Sequence, residues 1–139
     1  DVYKRQEMTG ILAIDDMAVL SLAQRGGILT VVSEHDPLLR RFGQCDLIQL
    51  QAGETLEILR RQADEVWALV SGAAAAKLED QREDSPSFES VQALELSGDA
   101  PRAVLVPFGV RWRVTARTQA VLVRLSTHED GAISEDLTP

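Results

Sequence analysis

The side chains best suited to bind or react with a ligand are grouped around Glu65. Arg60 and Arg61 precede this carboxylate, and Trp67 follows it by two residues. Residues two apart on a β-strand share one face, so Glu65 and Trp67 are expected to point the same way. A guanidinium in such a set could hold an anion, and the indole could stack on a flat ligand. Core filling is the alternative for the tryptophan, because large aromatics dominate core burial.

A second group lies further along the chain, where Arg111 and Arg113 flank Trp112. The same alternation puts the tryptophan on one face and both arginines on the other. If Trp112 faces inward it could join Trp67 in the interior. The arginines would then form a solvated or interface face, since long basic side chains mostly stay exposed.

The two histidines are weaker candidates for catalysis. His35 lies between two acidic residues just before a proline, which is typical of a solvated turn. His128 follows the last predicted strand and precedes another acidic pair, so we expect it to be exposed as well. A catalytic role for either is the minor alternative.

Short apolar stretches separated by turn signals predict an all-β fold. Their spacing of roughly eight to twelve residues is typical of a sandwich or barrel. Residues 74–78 contain four alanines and would suit a helix, but the segment is short and Gly72 precedes it, so a strand is favoured. Residues 79–90 are polar and acidic, as expected of a surface loop. The predicted strands are 28–32, 47–50, 56–60, 66–70, 74–78, 91–96, 103–106, 110–114 and 119–125.

Composition narrows the class of protein. The chain has 139 residues, 45% of them hydrophobic, and a formal net charge of −8, which fits one domain with a substantial core. An acidic balance argues against nucleic-acid binding and against an anionic membrane surface. No apolar run approaches the ~20 residues of a membrane span. The single cysteine, Cys45, excludes an intrachain disulfide and a cysteine-rich zinc site, so we expect a cytoplasmic protein.

The ends of the chain differ from its middle. Residues 1–6 resemble the in-frame translation of a transposon sequencing adapter, and we exclude them from the reasoning about the fold. We expect residues 7–25 to form an N-terminal leader or arm, residues 26–130 the β-barrel domain, and residues 131–139 an acidic flexible tail.

Two spaced motifs resemble those of the cupin superfamily. The first runs G-x5-H-x-H-x3-E-x6-G; Gly53, Glu65 and Gly72 are in register here, while Leu59 and Arg61 replace the histidines. The resemblance implies a double-stranded β-helix, the cupin jelly roll. It also implies that Arg61 lies on the inner face, where it would form a buried pair with Glu65 or anchor an anionic ligand.

The second motif ends in P-x-G-x-x-H. Pro107 and Gly109 match it, and Trp112 replaces the histidine. Gly98 precedes Pro107 by more than the usual spacing, so a small insertion is implied. The two motifs together span residues 53–112.

The flanking segments are similar to cupins that act on nucleotide-linked sugars. Gln24-Arg25-Gly26-Gly27-Ile28-Leu29 resembles the opening "D-x-R-G-x-L/F" of the dTDP-4-dehydrorhamnose 3,5-epimerases and the related 3,4-ketoisomerases. The segments 106–109, 120–123 and 126–130 resemble the end of that fold. The likeness covers roughly residues 26–130.

The family resemblance implies a histidine base and a tyrosine acid on opposite sides of the sugar ring. Arg60 stands at the histidine position, and arginine cannot act as a base at neutral pH. The only tyrosine, Tyr3, lies in the adapter-like segment. We therefore expect a divergent, metal-independent relative of the epimerases and ketoisomerases, linked to nucleotide-sugar or polysaccharide metabolism, with its catalytic activity retained or lost.

Two other functions stay open. The first is a non-enzymatic cupin, either a sensor that binds a small molecule or a structural partner; a metal-dependent oxygenase ranks below it. We expect no cofactor, a small-molecule ligand such as a nucleotide sugar, and a homodimer in which the strand within residues 26–32 could extend a neighbour's sheet. The candidate ligand-binding residues lining the barrel are Arg60, Arg61, Glu65, Trp67 and Trp112.

The ligand positions of the first motif lead to a prediction about metal content. Leucine and tryptophan do not bind metals, and arginine repels a cation, so one glutamate remains among the motif positions. We expect elemental analysis of untagged protein to find well under one equivalent of iron, manganese, nickel or zinc. A stoichiometric metal that is lost on Glu65→Ala would contradict this expectation.

Overall fold

The computed structural model describes residues 19–21, 23–25, 28–30, 42–60, 62–127 and 134–138, and within them the chain is built from β-strands. None of these residues belongs to a helix long and apolar enough to cross a bilayer. The strands are β1 (Val19–Ser21), β2 (Ala23–Arg25), β3 (Ile28–Thr30), β4 (Phe42–Leu50), β5 (Thr55–Leu59), β6 (Glu65–Ser71), β7 (Ala73–Asp80), β8 (Val91–Ser97), β9 (Arg102–Val106), β10 (Val110–Ala116), β11 (Ala120–Thr127) and β12 (Ser134–Thr138).

Two five-stranded antiparallel sheets form the barrel. The first has the order β1-β9-β6-β11-β4 and the second the order β12-β5-β10-β7-β8, while β2 and β3 pair as a separate hairpin. Apart from β7 and β8, neighbours in each five-stranded sheet are not consecutive in the chain, as in a jelly roll. The all-β expectation is confirmed.

Alternating burial along the strands shows where the core lies. In β10 the residues Val110, Trp112 and Val114 are buried, whereas the residues between them are more exposed. The alanine-rich β7 follows the same rule, with Ala74, Ala76 and Leu78 inward and an exposed Lys77. The inward faces of both sheets share one hydrophobic core, so period-two patterning explains why residues 74–78 form a strand.

Three segments differ from the sequence-based expectation. β4 begins at Phe42, five residues before the predicted start, and pairs along its length with β11. β12 lies within the region expected to be a flexible tail, but Ser134–Thr138 pair there with β5. β1 lies within residues 7–25, the expected leader or arm, and pairs with β9. The second sheet therefore includes a strand after residue 130, and the first sheet includes a strand before residue 26.

Glycines from both motifs occupy backbone conformations that other residues adopt at a cost. Gly72 has φ +89°, and a Cβ there would collide with the carbonyl oxygen of Gln119. Gly109 has φ +81°, and a Cβ there would lie 2.5 Å from Cγ of Arg82. These turns hold the ends of neighbouring strands close together, which only glycine permits.

Arg82 cannot move aside from Gly109, because it is fixed by the buried carboxylate of Asp80. Asp80 accepts hydrogen bonds from Nε and Nη2 of Arg82 at 2.8 and 3.0 Å, and from the hydroxyls of Ser85 and Ser87, each at 2.5 Å. Burial raises the pKa of Asp80, but these donors outweigh it and hold the pKa well below its usual range. The loop after β7 is thus anchored to a charge at the end of the strand.

Replacing Asp80 with asparagine should lower the free energy of unfolding by about 3 kcal/mol at pH 7, because Arg82 would lose its charge partner in a buried site. The pKa of Asp80 is lower in the folded than in the unfolded state. The difference in the free energy of unfolding between wild type and variant should therefore reach its maximum above about pH 5 and shrink as the pH falls below about 4. Urea unfolding at pH 7 and pH 3.5 measures both values.

Asp84 provides a matched control, since it is an exposed aspartate in the same loop. Asp84→Asn should change the free energy of unfolding by less than about 0.5 kcal/mol at either pH. Equal effects of the two substitutions would show that the Asp80 cluster does not stabilise the loop.

Candidate functional site

The centre of the barrel is organised around the carboxylate of Glu65, which is fully buried at the start of β6. Its Oε1 accepts a hydrogen bond from Nε1 of Trp67 at 2.8 Å. Its Oε2 accepts from Nε of Arg60 at 2.9 Å and from the hydroxyl of Ser126 at 3.1 Å. Ser126 lies directly opposite Glu65 on β11. The carboxylate thus has the several donors that a buried charge requires.

Arg60 is the observed ion-pair partner of Glu65. The predicted Arg61–Glu65 pair lies outside the described residues, because Arg61 is not among them. β5 ends at Leu59, so strand alternation does not decide which of the two arginines turns inward. The backbone N–H of Gly109 donates to the carbonyl of Arg60 at 2.8 Å and fixes that residue at the end of the barrel.

Arg124 is a further charged residue of the interior, and its position beside Glu65 was not predicted. Its guanidinium carbon lies 5.5 Å from the ring centroid of Trp67, and its Nε lies 4.0 Å from Oε2 of Glu65. It also donates to Oδ2 of Asp46 from Nε and Nη2 at 3.0 and 2.9 Å. Burial raises the pKa of Asp46, but hydrogen bonds from Gln44 and Arg124 bring that pKa below its ordinary value.

Alternation along β11 is the signal that could have found Arg124 and Ser126. Both are buried and share a face with the core residues Ala120 and Leu122. A polar residue in register with such a row must find a partner inside the fold, and the nearby carboxylate of Glu65 supplies one.

The two tryptophans lie together in the core, as their strand positions indicated. Both are fully buried, and their ring centroids are 5.6 Å apart with planes inclined at 44°. Nε1 of Trp67 is bonded to Glu65, whereas Nε1 of Trp112 has no acceptor among the described residues. Complete burial favours the core-filling interpretation over direct stacking on a ligand.

A cavity of about 360 Å³ opens at the end of the barrel next to the Glu65 site. The described residues that line it are Leu59, Arg60, Gln81 and Gly109. The backbone N–H of Gln81 donates to the carbonyl of Gly109 at 2.9 Å, so the lining elements are joined to each other. Arg60 lines this cavity and also contacts the buried carboxylate.

The described residues do not fit a cupin metal centre. Among them, no group of three or more His, Cys, Asp and Glu side chains is placed to hold a metal ion. Both oxygens of Glu65 accept hydrogen bonds from N–H and O–H groups, which compete with a cation for the same lone pairs. His35 and His128 lie outside the described residues.

The described interior is equipped to bind charge rather than to remove a proton. Its arginines, Arg60 and Arg124, stay protonated at neutral pH. The carboxylate of Glu65 is enclosed and engaged with three donors, so it has no open path to a carbon acid. An arginine among the residues that line a cavity is suited to an anionic group such as a phosphate.

Comparison with known proteins assigns the fold. No protein-family model and no curated protein sequence matches the chain. Among solved structures, it is similar to a dTDP sugar isomerase from Desulfovibrio desulfuricans G20, with a TM-score of 0.67 and 19% identity over 88% of this chain and 82% of the other. A 4-keto-6-deoxy sugar epimerase from the novobiocin biosynthetic gene cluster of Streptomyces spheroides gives a TM-score of 0.73 and 21% identity, over 90% and 70% of the two chains.

A third similar structure contains a sugar nucleotide. It is a dTDP-6-deoxy-D-glucose-3,5-epimerase from Legionella pneumophila Philadelphia 1 in complex with dTDP-4-keto-L-rhamnose, with a TM-score of 0.66 and 18% identity. The alignment covers 81% of this chain and 65% of the Legionella enzyme. The chain has the cupin jelly-roll fold of these sugar-nucleotide enzymes, and the fold expected from the two motifs is confirmed.

Substitution of Glu65 by leucine should lower the free energy of unfolding by about 3–5 kcal/mol, because the charge on Arg60 would lose its buried partner. Arg60→Leu should lower the free energy of unfolding by less, since the carboxylate keeps its hydrogen bonds to Trp67 and Ser126. The double mutant should be more stable than the sum of the two losses predicts. Urea unfolding followed by tryptophan fluorescence measures all three values.

The Glu57–Arg111 pair is a matched control with nearly the same geometry. Its N–O distance is 2.8 Å, against 2.9 Å for Arg60–Glu65, but its side chains are about one third exposed whereas Glu65 is 1% exposed. The same cycle on Glu57 and Arg111 should give a coupling of less than about 1 kcal/mol. Equal couplings in the two cycles would show that burial does not strengthen the inner pair.

Proposed function

We propose that this chain is a divergent member of the epimerase and ketoisomerase cupins that binds a nucleotide sugar at the barrel end without a metal. The observation that carries the proposal is the cavity lined by Arg60, the same residue that is paired with Glu65. A sugar nucleotide offers a diphosphate to such a group. The similar Legionella enzyme, in complex with dTDP-4-keto-L-rhamnose, gives the proposal its ligand class.

Catalysis by the family's pair of residues is not part of the proposal. Epimerisation next to a ketone needs a base within hydrogen-bond reach of the carbon acid. Arg60 stands where the resemblance implies that base, and Glu65 is committed to three donors. The proposed protein therefore recognises the sugar nucleotide and leaves its stereochemistry unchanged.

The binding test is calorimetry with dTDP and a dTDP-4-keto-6-deoxy sugar. We expect saturable binding that Arg60→Met weakens about tenfold or more, because a charged hydrogen bond is lost. Arg102→Met removes an arginine at the far end of β9, outside the lining of the cavity, and should leave the affinity unchanged. Absence of binding by folded wild-type protein would favour the alternative, a cupin that serves another ligand or a structural partner.

Proton abstraction is tested separately by incubating the keto sugar with the protein in D₂O. We expect no incorporation of deuterium next to the ketone beyond the rate without protein. Protein-dependent incorporation would show that a base is present and that the chain is an active epimerase or ketoisomerase.

A further inference from the structure

The outer face of the second sheet carries two cations in direct register. Lys77 on β7 lies opposite Arg113 on β10, and both side chains are exposed. Residues directly opposite in an antiparallel pair have Cβ atoms about 4.5–5.5 Å apart, and like charges at that distance repel each other. In a chain with a net charge of −8, this arrangement needs an explanation.

Three acidic residues of the same face whose side chains the structure describes are already engaged with other arginines. Glu57, the register neighbour of Arg113 on β5, is bonded instead to Arg111 at 2.8 Å. Glu79 also lies near Arg111, with an N–O distance of 3.6 Å. Within the described part of the chain, no ion pair or hydrogen bond joins the side chain of Lys77 or Arg113 to another residue.

Glu95 completes the set of engaged carboxylates. It forms a two-point ion pair with Arg117 through distances of 2.5 and 3.0 Å, and this contact lowers the pKa of Glu95. The carboxylates next to Lys77 and Arg113 are thus paired with Arg111 on one side and with Arg117 on the other.

The same two cations line two adjoining hollows. One has a volume of about 420 Å³ and a floor that includes Ala75 and Ala93, with Arg117 at its side. The other has a volume of about 250 Å³ and lies towards Arg111. Lys77 and Arg113 line both, so a group bound between them has space on either side.

We propose that Lys77 and Arg113 form a binding site for the phosphate group of a small molecule on the outer face of the second sheet. The planar guanidinium can hold two phosphate oxygens, and the ammonium adds a point charge. The alanine floor leaves room for the rest of the molecule. The site is separate from the barrel interior, since Arg113 projects from the opposite side of β10 to Trp112.

Titration of ¹⁵N-labelled protein with inorganic phosphate and pyrophosphate, at constant ionic strength, tests this site. We expect saturable shifts of the backbone amides of Ala75, Ala93 and Thr115. Lys77→Gln and Arg113→Gln should each raise the dissociation constant about fivefold or more, the scale of an exposed charge pair. Arg102→Gln removes one charge outside both hollows and should leave the constant unchanged. Succinate as a third ligand shows whether a dicarboxylate can replace phosphate.

A second measurement separates binding at Lys77 and Arg113 from binding in the barrel interior. Without ligand, Lys77→Gln should raise the midpoint of thermal unfolding, because it relieves the repulsion, and phosphate should then stabilise this variant less than wild type. The indole N–H signals of Trp67 and Trp112 report on the interior, and any shift of these signals with phosphate should persist in Lys77→Gln, because it would come from binding at Arg60 in the barrel.

Three results would overturn the proposal. Shifts that rise linearly without saturation would mean non-specific screening, and equal weakening by Arg102→Gln would mean a response to net charge alone. A wild-type dimer that dissociates in sedimentation experiments on Lys77→Gln would show that a second copy of the chain covers this face. Binding of a nucleotide sugar in the barrel would be unaffected by any of these results.

Discussion

The charge on Glu65 is the constraint from which the interior of this barrel follows. A carboxylate removed from water must be matched by donors, or its burial opposes folding by several kcal/mol. The donors come from three places in the chain: Arg60 after β5, Trp67 on β6 and Ser126 on β11. Arg124 lies beside them. Because these groups must all reach the interior around Glu65, they favour the strand register that brings them together.

The converging charges also balance one another. Arg60 is paired with Glu65, and Arg124 is paired with Asp46 and lies over the face of Trp67. Two guanidiniums thus meet two carboxylates within a few ångströms, and their desolvation costs are offset by the same contacts. A change at any one of these positions alters the surroundings of the others, because each partner is shared.

The parts of this arrangement that alternate along strands could be predicted from the sequence. Period-two patterning placed Glu65 and Trp67 on one face and Trp112 on the opposite side of its strand from Arg113, and the structure agrees, with both tryptophans buried. Alternation fails where a strand ends: the sequence predicted Arg61 as the inner partner of Glu65, whereas Arg60 forms the ion pair in the described part of the chain. The acidic composition of Ser134–Thr138 hid β12, since an edge strand can pair through its backbone without an apolar face.

The Asp80 cluster illustrates a different limit of the sequence. Asp80 continues the inward row of β7 after Leu78, but its neighbours in the sequence are polar, and the whole segment resembles a solvated loop. Only the return of the chain brings Ser85 and Ser87 onto the same carboxylate. Closure of this kind, although it spans only five to seven residues, depends on loop geometry, which residue types alone do not specify.

Trp112 shows how packing can outweigh an unmet hydrogen bond. Its Nε1 has no acceptor among the described residues, and leaving a buried donor unpaired costs about 1–3 kcal/mol. A buried indole removes about 200 Å² from water, which at about 25 cal/mol per Å² is worth about 5 kcal/mol. The balance favours tryptophan where the resemblance implies a histidine ligand. Trp112 packs against Trp67 in the core, and its indole offers no ligand for a metal.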